Sequence, residues 1–271
     1  MPELPEVETV LQGIKPYLEG SCVEKLVIRQ AQLRWPIPLH LESSLVHQVI
    51  GTISRRAKYL LIPVQTGTLL IHLGMSGSLR IVTNQTPEQK HDHVDLMFTN
   101  GKMLRYTDPR RFGAILWTEE DPKLHPLLKN LGPEPLNAAF SDTYLFKKCF
   151  GRKKTIKELI MDNHVVVGIG NIYAAESLFR AQIQPLKPAG TLSLKECTGL
   201  VDAIKAILQQ AIIKGGTTIK DFSSSEGKPG YFAQELQVYG RAKLPCKICQ
   251  TPLSQAKLGQ RSTVFCTKCQ N

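Results

Sequence analysis

The feature that most constrains this chain lies near its end. Cys246-Lys-Ile-Cys249 and Cys266-Thr-Lys-Cys269 form two Cys-x2-Cys pairs separated by sixteen residues. Two such knuckles bring four sulfurs to one point, the donor set of a tetrahedral zinc site with Zn–S bonds of about 2.3 Å. A redox dithiol or chance clustering is the competing reading, and the second pair counts against both. Four thiolates leave no open position, so one zinc ion is expected, structural rather than catalytic. Residues 238–271 also carry Arg241, Lys243, Lys247, Lys257, Arg261 and Lys268, with no Asp or Glu. Six positive charges against the formal −2 of a zinc tetrathiolate leave +4 on 34 residues. A small β-hairpin with that charge suits a nucleic-acid groove; a solvated basic face is the plainer alternative.

The rest of the chain leans the same way. Over 271 residues, 34 Lys and Arg outweigh 23 Asp and Glu, for a net charge of +11, which favours a polyanionic partner. Hydrophobic residues at 42% and charged residues at 21% describe a folded chain rather than a disordered one. No run approaches the roughly 18 apolar residues of a membrane span. The opening MPELPEVETV, with three glutamates and two prolines, is not a signal peptide. Seven cysteines are an odd number. Cys22, Cys149 and Cys197 are therefore expected as buried or inert thiols in a reducing cytoplasm.

Periodicity divides the chain. VEKLVIRQ, LLIPVQTGTLLIHLGMSGSLRIV and VDLMFTNGKMLRYTDPRRFGAILW are β-rich runs broken by Gly, Asn or Pro. Thr99-Asn100-Gly101-Lys102 reads as a type I′ hairpin turn, with positive φ at Asn100 and Gly101. The opening PEVETVLQGIKPYL is helical, with Pro5 in its first turn and Glu6 and Glu8 at the positive dipole end. Residues 122–137 are a Pro- and Gly-rich linker. Beyond it TIKELIMDN, NIYAAESLFRAQ and SLKECTGLVDAIKAILQQAIIKGG carry helical spacing, the last stopped by Gly215-Gly216. SSSEGKPGYF reads as a mobile polar loop.

Met1 is expected to be removed, because a small second residue permits it. That exposes Pro2, a secondary amine, in the class of α-amino groups that titrate near about 7.7–8.0. Such an amine can attack a sugar C1′ and give a charged iminium, an electron sink for elimination. Glu3 beside it can shuttle protons. Most chains that begin Met-Pro use the proline for nothing, so this reading needs other signals.

Those signals run through the whole chain in order: MPELPEVETV, Lys58 in RRAKYLL, HLGMSGSLR, DPRRFG, GIGNIYAAESLF, GGTTIKDF, GKPGYFAQELQVYGR and the four cysteines. Together they resemble formamidopyrimidine-DNA glycosylase, the bifunctional bacterial enzyme that excises 8-oxoguanine and ring-opened purines. The endonuclease VIII type opens PEGPE and lacks a Met, Arg and Phe trio; here residue 4 is Leu, and Met75, Arg110 and Phe112 are present. The resemblance implies an α+β multidomain chain with three parts. Residues 1–130 are an N-terminal β-sandwich with a flanking helix. Residues 131–237 are a helix-two-turn-helix domain, and 238–271 a β-hairpin zinc finger.

The resemblance also implies roles. Pro2 is the nucleophile that displaces the damaged base, and Glu3 its acid/base partner. Lys58 is linked to β-elimination. Arg261 is linked to δ-elimination, although a guanidinium that keeps its charge suits a phosphate clamp better than a proton source. Met75, Arg110 and Phe112 fill the gap left by the flipped lesion, with Arg110 bonding the orphaned base. His91, Lys153, Lys157, Asn171 and the Arg261 finger bind phosphates. Asn171 opens a helix, where backbone N–H groups suit an anion. Residues 220–232 close over the extruded base. Glu6 is either a further site carboxylate or a helix-dipole residue. The implied partner is double-stranded DNA carrying oxidised purines, met by a cytoplasmic, nucleoid-associated monomer with no membrane contact. Two other functions fit part of these features: an oxidised-pyrimidine glycosylase of the same fold, and a zinc-finger DNA binder without catalysis.

Overall fold

The computed structural model describes residues 2–217 and 232–271. The chain divides into two compact units, Met1–Lys129 with Lys214–Tyr231, and Asn130–Ile213 with Phe232–Asn271.

The first unit begins with helix α1 (Leu4–Leu18). Glu3 is its N-cap, with an extended backbone at φ −101° and ψ −173°, and proline in the first turn costs no hydrogen bond. Leu4, Val7, Val10, Leu11, Ile14 and Leu18 line one buried face, the i, i+3, i+4 stripe of an amphipathic helix. Strand β1 (Val23–Ile28) and a one-turn helix α2 (Leu41–Leu45) follow. Then come β2 (Ser54–Arg56), β3 (Tyr59–Val64), β4 (Gly67–His72) and β5 (Ser78–Thr83). The last three are β6 (Asp92–Phe98), β7 (Lys102–Thr107) and β8 (Ala114–Thr118).

These strands make two antiparallel four-stranded sheets, ordered β1-β6-β7-β5 and β2-β3-β4-β8. Alternation decides which side chains meet. Val94, Leu96 and Phe98 of β6 join Leu60 and Ile62 of β3, Leu69 and Ile71 of β4 and Ile115 of β8 in one core, with the apolar face of α1 packed into it. That is the sandwich the family resemblance implies. On the opposite side of β6 the polar alternation is buried too. Asp95 pairs in register with Arg105, which forks onto it through Nε at 2.8 Å and Nη2 at 3.0 Å, and Arg29 adds a third bond at 2.6 Å. Arg105 is 2% exposed, and its hydrogen bonds to Asp95 raise its pKa further.

The Asn-Gly hairpin forms differently from expectation. Only Gly101 takes a positive φ, 75°, and its N–H bonds to the Phe98 carbonyl at 3.0 Å. The turn therefore centres on Thr99 and Asn100, with Gly101 in the left-handed place that follows a type I turn. Asn100 is used through its side chain, which accepts the Lys102 N–H at 3.0 Å. Helix α2 is not legible in the sequence, being too short for a period.

The second unit carries α3 (Asp142–Cys149), α4 (Ile156–Ile160), α5 (Asn171–Arg180) and α6 (Leu194–Ile213). Helix α3 had no sequence signal beyond its cap, where Ser141 Oγ accepts the Tyr144 N–H at 3.2 Å. Thr155 caps α4 in the same way at 3.3 Å. Between α4 and α5 the chain turns with Val165 and Val166 N–H on the Asp162 carbonyl, then bends over 166–168. Gly215 and Gly216 follow α6 with φ of 73° and 77°, the left-handed stop the sequence predicts. Strands β9 (Ser254–Leu258) and β10 (Arg261–Phe265) pair as a hairpin. Val264 and Cys266 of the hairpin segment pack with Ala175 and Phe179 of α5. Among the described residues no helix is long and apolar enough to cross a membrane.

Candidate active site and nucleic-acid interface

Three groups of predicted residues are assembled within the first unit. The first is the N terminus. Pro2 and Glu3 are both buried ahead of α1. Glu6, fully buried one turn later, binds the chain at two places. Its Oε2 accepts the Glu3 N–H at 2.9 Å, and its Oε1 accepts the Thr217 N–H at 2.8 Å and the Thr217 hydroxyl at 2.9 Å. Gly216 lies so close that a Cβ there would sit 3.0 Å from Glu6 Oε1. Glu6 thus serves as a fastener between the start of α1 and Thr217.

The second group surrounds Lys58. The β2–β3 hairpin closes through Ala57 and Lys58, since Arg56 pairs with Tyr59. Lys58 is 7% exposed, and its charge, with that of Arg34, reaches His72 at the end of β4. Burial first and these two cations second push the His72 pKa down to about 4. The Gly74 N–H donates to His72 Nδ1 at 3.0 Å, so the neutral ring carries its proton on Nε2. A neutral N–H donor beside two cations is an anion-binding constellation.

The third group is a cleft of about 650 Å³ lined by His72, Met75, Arg110, Phe112, Gln32 and Arg34, among others. Met75 and Phe112 are 39% and 47% exposed, unusual for large apolar side chains. Arg110 lies over the Phe112 ring at 4.8 Å. The sequence brought this trio forward, and the structure gathers it on adjoining loops. His91, at the entry to β6, stands edge-on to His93 at 6.2 Å and gives its carbonyl to the Asp108 N–H. His72, Arg34, Ser76 and Asp108 were not singled out from the sequence. Ser76 and Asp108 stand inside the GMSG and DPRRFG segments, but their burial is a property of the fold.

The second unit collects Lys157, Asn171 and Arg261 around a cleft of about 240 Å³. Lys157 is 1% exposed, and its Nζ donates to Asn171 Oδ1 and Thr263 Oγ1 at 2.7 Å each. Asn171 Nδ2 donates in turn to the Ser262 carbonyl at 3.1 Å. Lys157 therefore ties α4, α5 and the zinc hairpin together, and the exposed cations lining the cleft are Lys154 and Arg261. Lys153 stands outside this cleft, which Lys154 lines instead.

Cys246, Cys249, Cys266 and Cys269 place their sulfurs within 4.8 Å of one another. The Cys246–Cys269 and Cys249–Cys266 separations are 4.0 and 3.4 Å. These bracket the edge of about 3.8 Å that follows from a tetrahedron with 2.3 Å bonds. Backbone N–H groups of Ile248 and Cys269 point at Cys246 Sγ and Cys266 Sγ at 3.5 and 3.4 Å, which suits thiolates. The residues fit one structural zinc. The predicted loop 220–232 lies outside the described residues except for Phe232, which opens a short 3₁₀ turn.

A β-sandwich with a buried N-terminal Pro-Glu, a helical second unit and a four-cysteine hairpin together have the build of a zinc-bearing DNA-processing enzyme. Family comparison makes the class specific. Residues 1–115 match the formamidopyrimidine-DNA glycosylase N-terminal domain, 131–223 the H2TH domain of the same enzymes, and 243–271 the zinc finger found in FPG and IleRS. The formamidopyrimidine-DNA glycosylase of Shewanella amazonensis is 56% identical over 270 residues, covering 100% of this chain and 99% of the relative. A Lactococcus lactis FPG variant complexed with Fapy-dG-containing DNA superposes with a TM-score of 0.91 at 34% identity, covering 100% of both chains. The wild-type Lactococcus lactis protein complexed with oxidised-pyrimidine DNA gives 0.90 at 34% identity, again over 100% of both. The chain belongs to the formamidopyrimidine-DNA glycosylase family and is a DNA-repair glycosylase.

Proposed function

We propose that this glycosylase removes 8-oxoguanine and formamidopyrimidines from duplex DNA, then nicks the abasic site by β,δ-elimination. In this reading the Pro2 nitrogen attacks C1′ of the lesion nucleotide while the glycosidic bond breaks and the base leaves protonated. The nitrogen then loses its proton, Glu3 protonates O4′ and the C1′–O4′ bond breaks, opening the sugar to an iminium that withdraws electrons. Loss of a C2′ proton then expels the 3′ phosphate and a second elimination expels the 5′ phosphate, after which water releases Pro2. Glu3 moves protons at the sugar. Lys58 serves the first elimination, and Arg261 holds the phosphate of the second. Met75 and Phe112 replace the lost stacking, and Arg110 bonds the orphaned base. Lys153 and Asn171 take phosphates, His91 joins them, and Lys157 sets the Asn171 amide. The cysteines hold zinc, which keeps the Arg261 hairpin folded and takes no part in the chemistry.

The observation that carries this reading is the full-length identity to named glycosylases together with the buried Pro2-Glu3 start fastened by Glu6. We place the boundaries of the working parts near residues 130 and 237, and assign the protein to the cytoplasm as a monomer. Borohydride trapping on 8-oxoguanine opposite cytosine tests it. A covalent adduct mapping to Pro2 is expected; an adduct on Lys58, or none, would overturn the assignment. The relative bound to oxidised-pyrimidine DNA justifies running a pyrimidine lesion beside it. Purine lesions should react faster.

A further inference from the structure

We propose that Met75, Arg110 and Phe112 work as one rigid wedge whose spacing is set by a buried clamp, Asp108 with Ser76, making these two residues positioning residues for base eversion. The inference rests on the reading of the trio as the wedge. Asp108 is fully buried and Ser76 is 6% exposed. Asp108 Oδ1 accepts the Ser76 hydroxyl at 2.7 Å, and Ser76 Oγ accepts the Arg110 N–H at 3.2 Å. Asp108 Oδ2 accepts the Gly113 N–H at 2.8 Å and the Tyr106 hydroxyl at 2.9 Å. One carboxylate thus holds the residue after Met75 and both ends of the Arg110–Phe112 segment.

The backbones of the two loops are also in contact. A Cβ on Gly74 would fall 2.4 Å from Gly113 N and 2.4 Å from the Phe112 carbonyl carbon. A Cβ on Gly113 would fall 1.9 Å from the Tyr106 hydroxyl and 2.6 Å from the His72 carbonyl oxygen. Arg111, between the two exposed wedge residues, has a left-handed φ of 54°, and its N–H bonds to the Asp108 carbonyl at 3.1 Å. That carbonyl is also bonded to His93 Nε2 at 2.8 Å. A non-glycine residue stays in this region only where its surroundings over-determine it. Among the described residues, every hydrogen bond to the Asp108 carboxylate comes from a neutral donor, so an amide in its place would turn an NH2 toward at least one of them. A pre-set spacing matters because unstacking a base costs a few kcal/mol and a wedge that must first order itself offsets less of it.

The test compares excision of 8-oxoguanine opposite cytosine with nicking of a preformed abasic site, which has no base to evert. Asp108→Asn and Ser76→Ala should lower single-turnover excision at least tenfold while lowering abasic nicking less than threefold. Ser76→Ala removes a single hydroxyl, so it carries the test if Asp108→Asn fails to fold. In the Ser76→Ala background, Met75→Ala should cost at least threefold less than in the wild type, because both losses act through one spacing. Equal losses on the two substrates, no loss on either, or simple additivity with Met75→Ala would overturn the clamp. If Met75→Ala and Phe112→Ala leave excision unchanged in the wild type, the wedge reading fails and the clamp falls with it.

Discussion

His72 offers a stability signal that can be worked out from its surroundings. Its folded pKa is about 4 against an ordinary 6.5, lowered by burial and by Lys58 and Arg34. The native ring therefore stays neutral while the unfolded chain takes up a proton below about pH 6.5. The unfolded state then binds more protons, so acid favours unfolding. The contribution is complete above pH 6.5 and is lost as the pH falls toward 4. Between pH 7 and pH 5 it amounts to about 2 kcal/mol at 1.36 kcal/mol per pKa unit. His72→Asn removes the titration but keeps an acceptor near Nδ1 for the Gly74 N–H. The carboxylates that also titrate with shifted pKa values, such as Asp92, Asp162 and Glu176, are common to both proteins and cancel in the difference.

The assay is built into the chain. Trp35 and Trp117 are its only two tryptophans, and both lie in the first unit, so intrinsic fluorescence follows unfolding of that unit. Urea titrations at pH 5 and pH 7 should show the wild type losing about 2 kcal/mol more than His72→Asn on acidification. If the two proteins lose the same amount within about 0.5 kcal/mol, the idea that His72 is held neutral by its neighbours is wrong.

Three other outcomes are expected. Cys246→Ser should lose zinc and weaken DNA binding while the fluorescence-monitored unfolding of the first unit stays in place; full affinity in metal-free protein would refute a structural zinc. Asp95→Asn should cost the first unit about 3 kcal/mol, because it takes the forked carboxylate from the buried Arg105 guanidinium; a urea-derived loss below about 1 kcal/mol would show that Asp92, 3.4 Å from Arg105 Nη1, and the Pro87 and Thr86 carbonyls that Arg105 also donates to suffice to hold it. For DNA binding, five or six neutralised phosphates should lower log K by about 5 per decade of salt, and a slope near zero would make the basic residues ordinary surface.

The sequence reveals what depends on period and spacing. The α1 stripe, the sandwich strands, the end of α6 at Gly215 and the cysteine knuckles all repeat a local rule often enough to be seen. Short or conditional elements escape. Helix α2 spans five residues and α3 eight, too few for a helical stripe to stand out. The Asn100-Gly101 turn keeps its residues but changes its type, because the Asn100 side chain finds the Lys102 N–H and needs no positive φ. Among site residues, Lys157 illustrates the limit. A lysine in a basic run reads as a surface phosphate ligand, yet its ammonium is bonded to Asn171 and Thr263, the latter 106 residues away in the chain. No local pattern encodes a partner at that distance.

Seven described side-chain-bearing residues have a left-handed backbone, and two of those in the first unit flank the proposed chemistry. Ala57, immediately before Lys58, has φ 54°, and Arg111, between Arg110 and Phe112, has φ 54° as well. Left-handed backbone costs a side-chain-bearing residue roughly 1–2 kcal/mol, and glycine would remove that cost at either place. Each strained residue is held by a clamp reached through the fold. The Ala57 carbonyl accepts Arg55 Nη1 at 2.8 Å, and Arg55 Nε is itself fixed on Glu8 of α1 at 2.8 Å. Arg111 is held by Asp108. A flexible glycine would let the neighbouring lysine or the wedge sample many directions. A strained residue under a clamp leaves essentially one, so the ordering cost is met during folding rather than on the DNA.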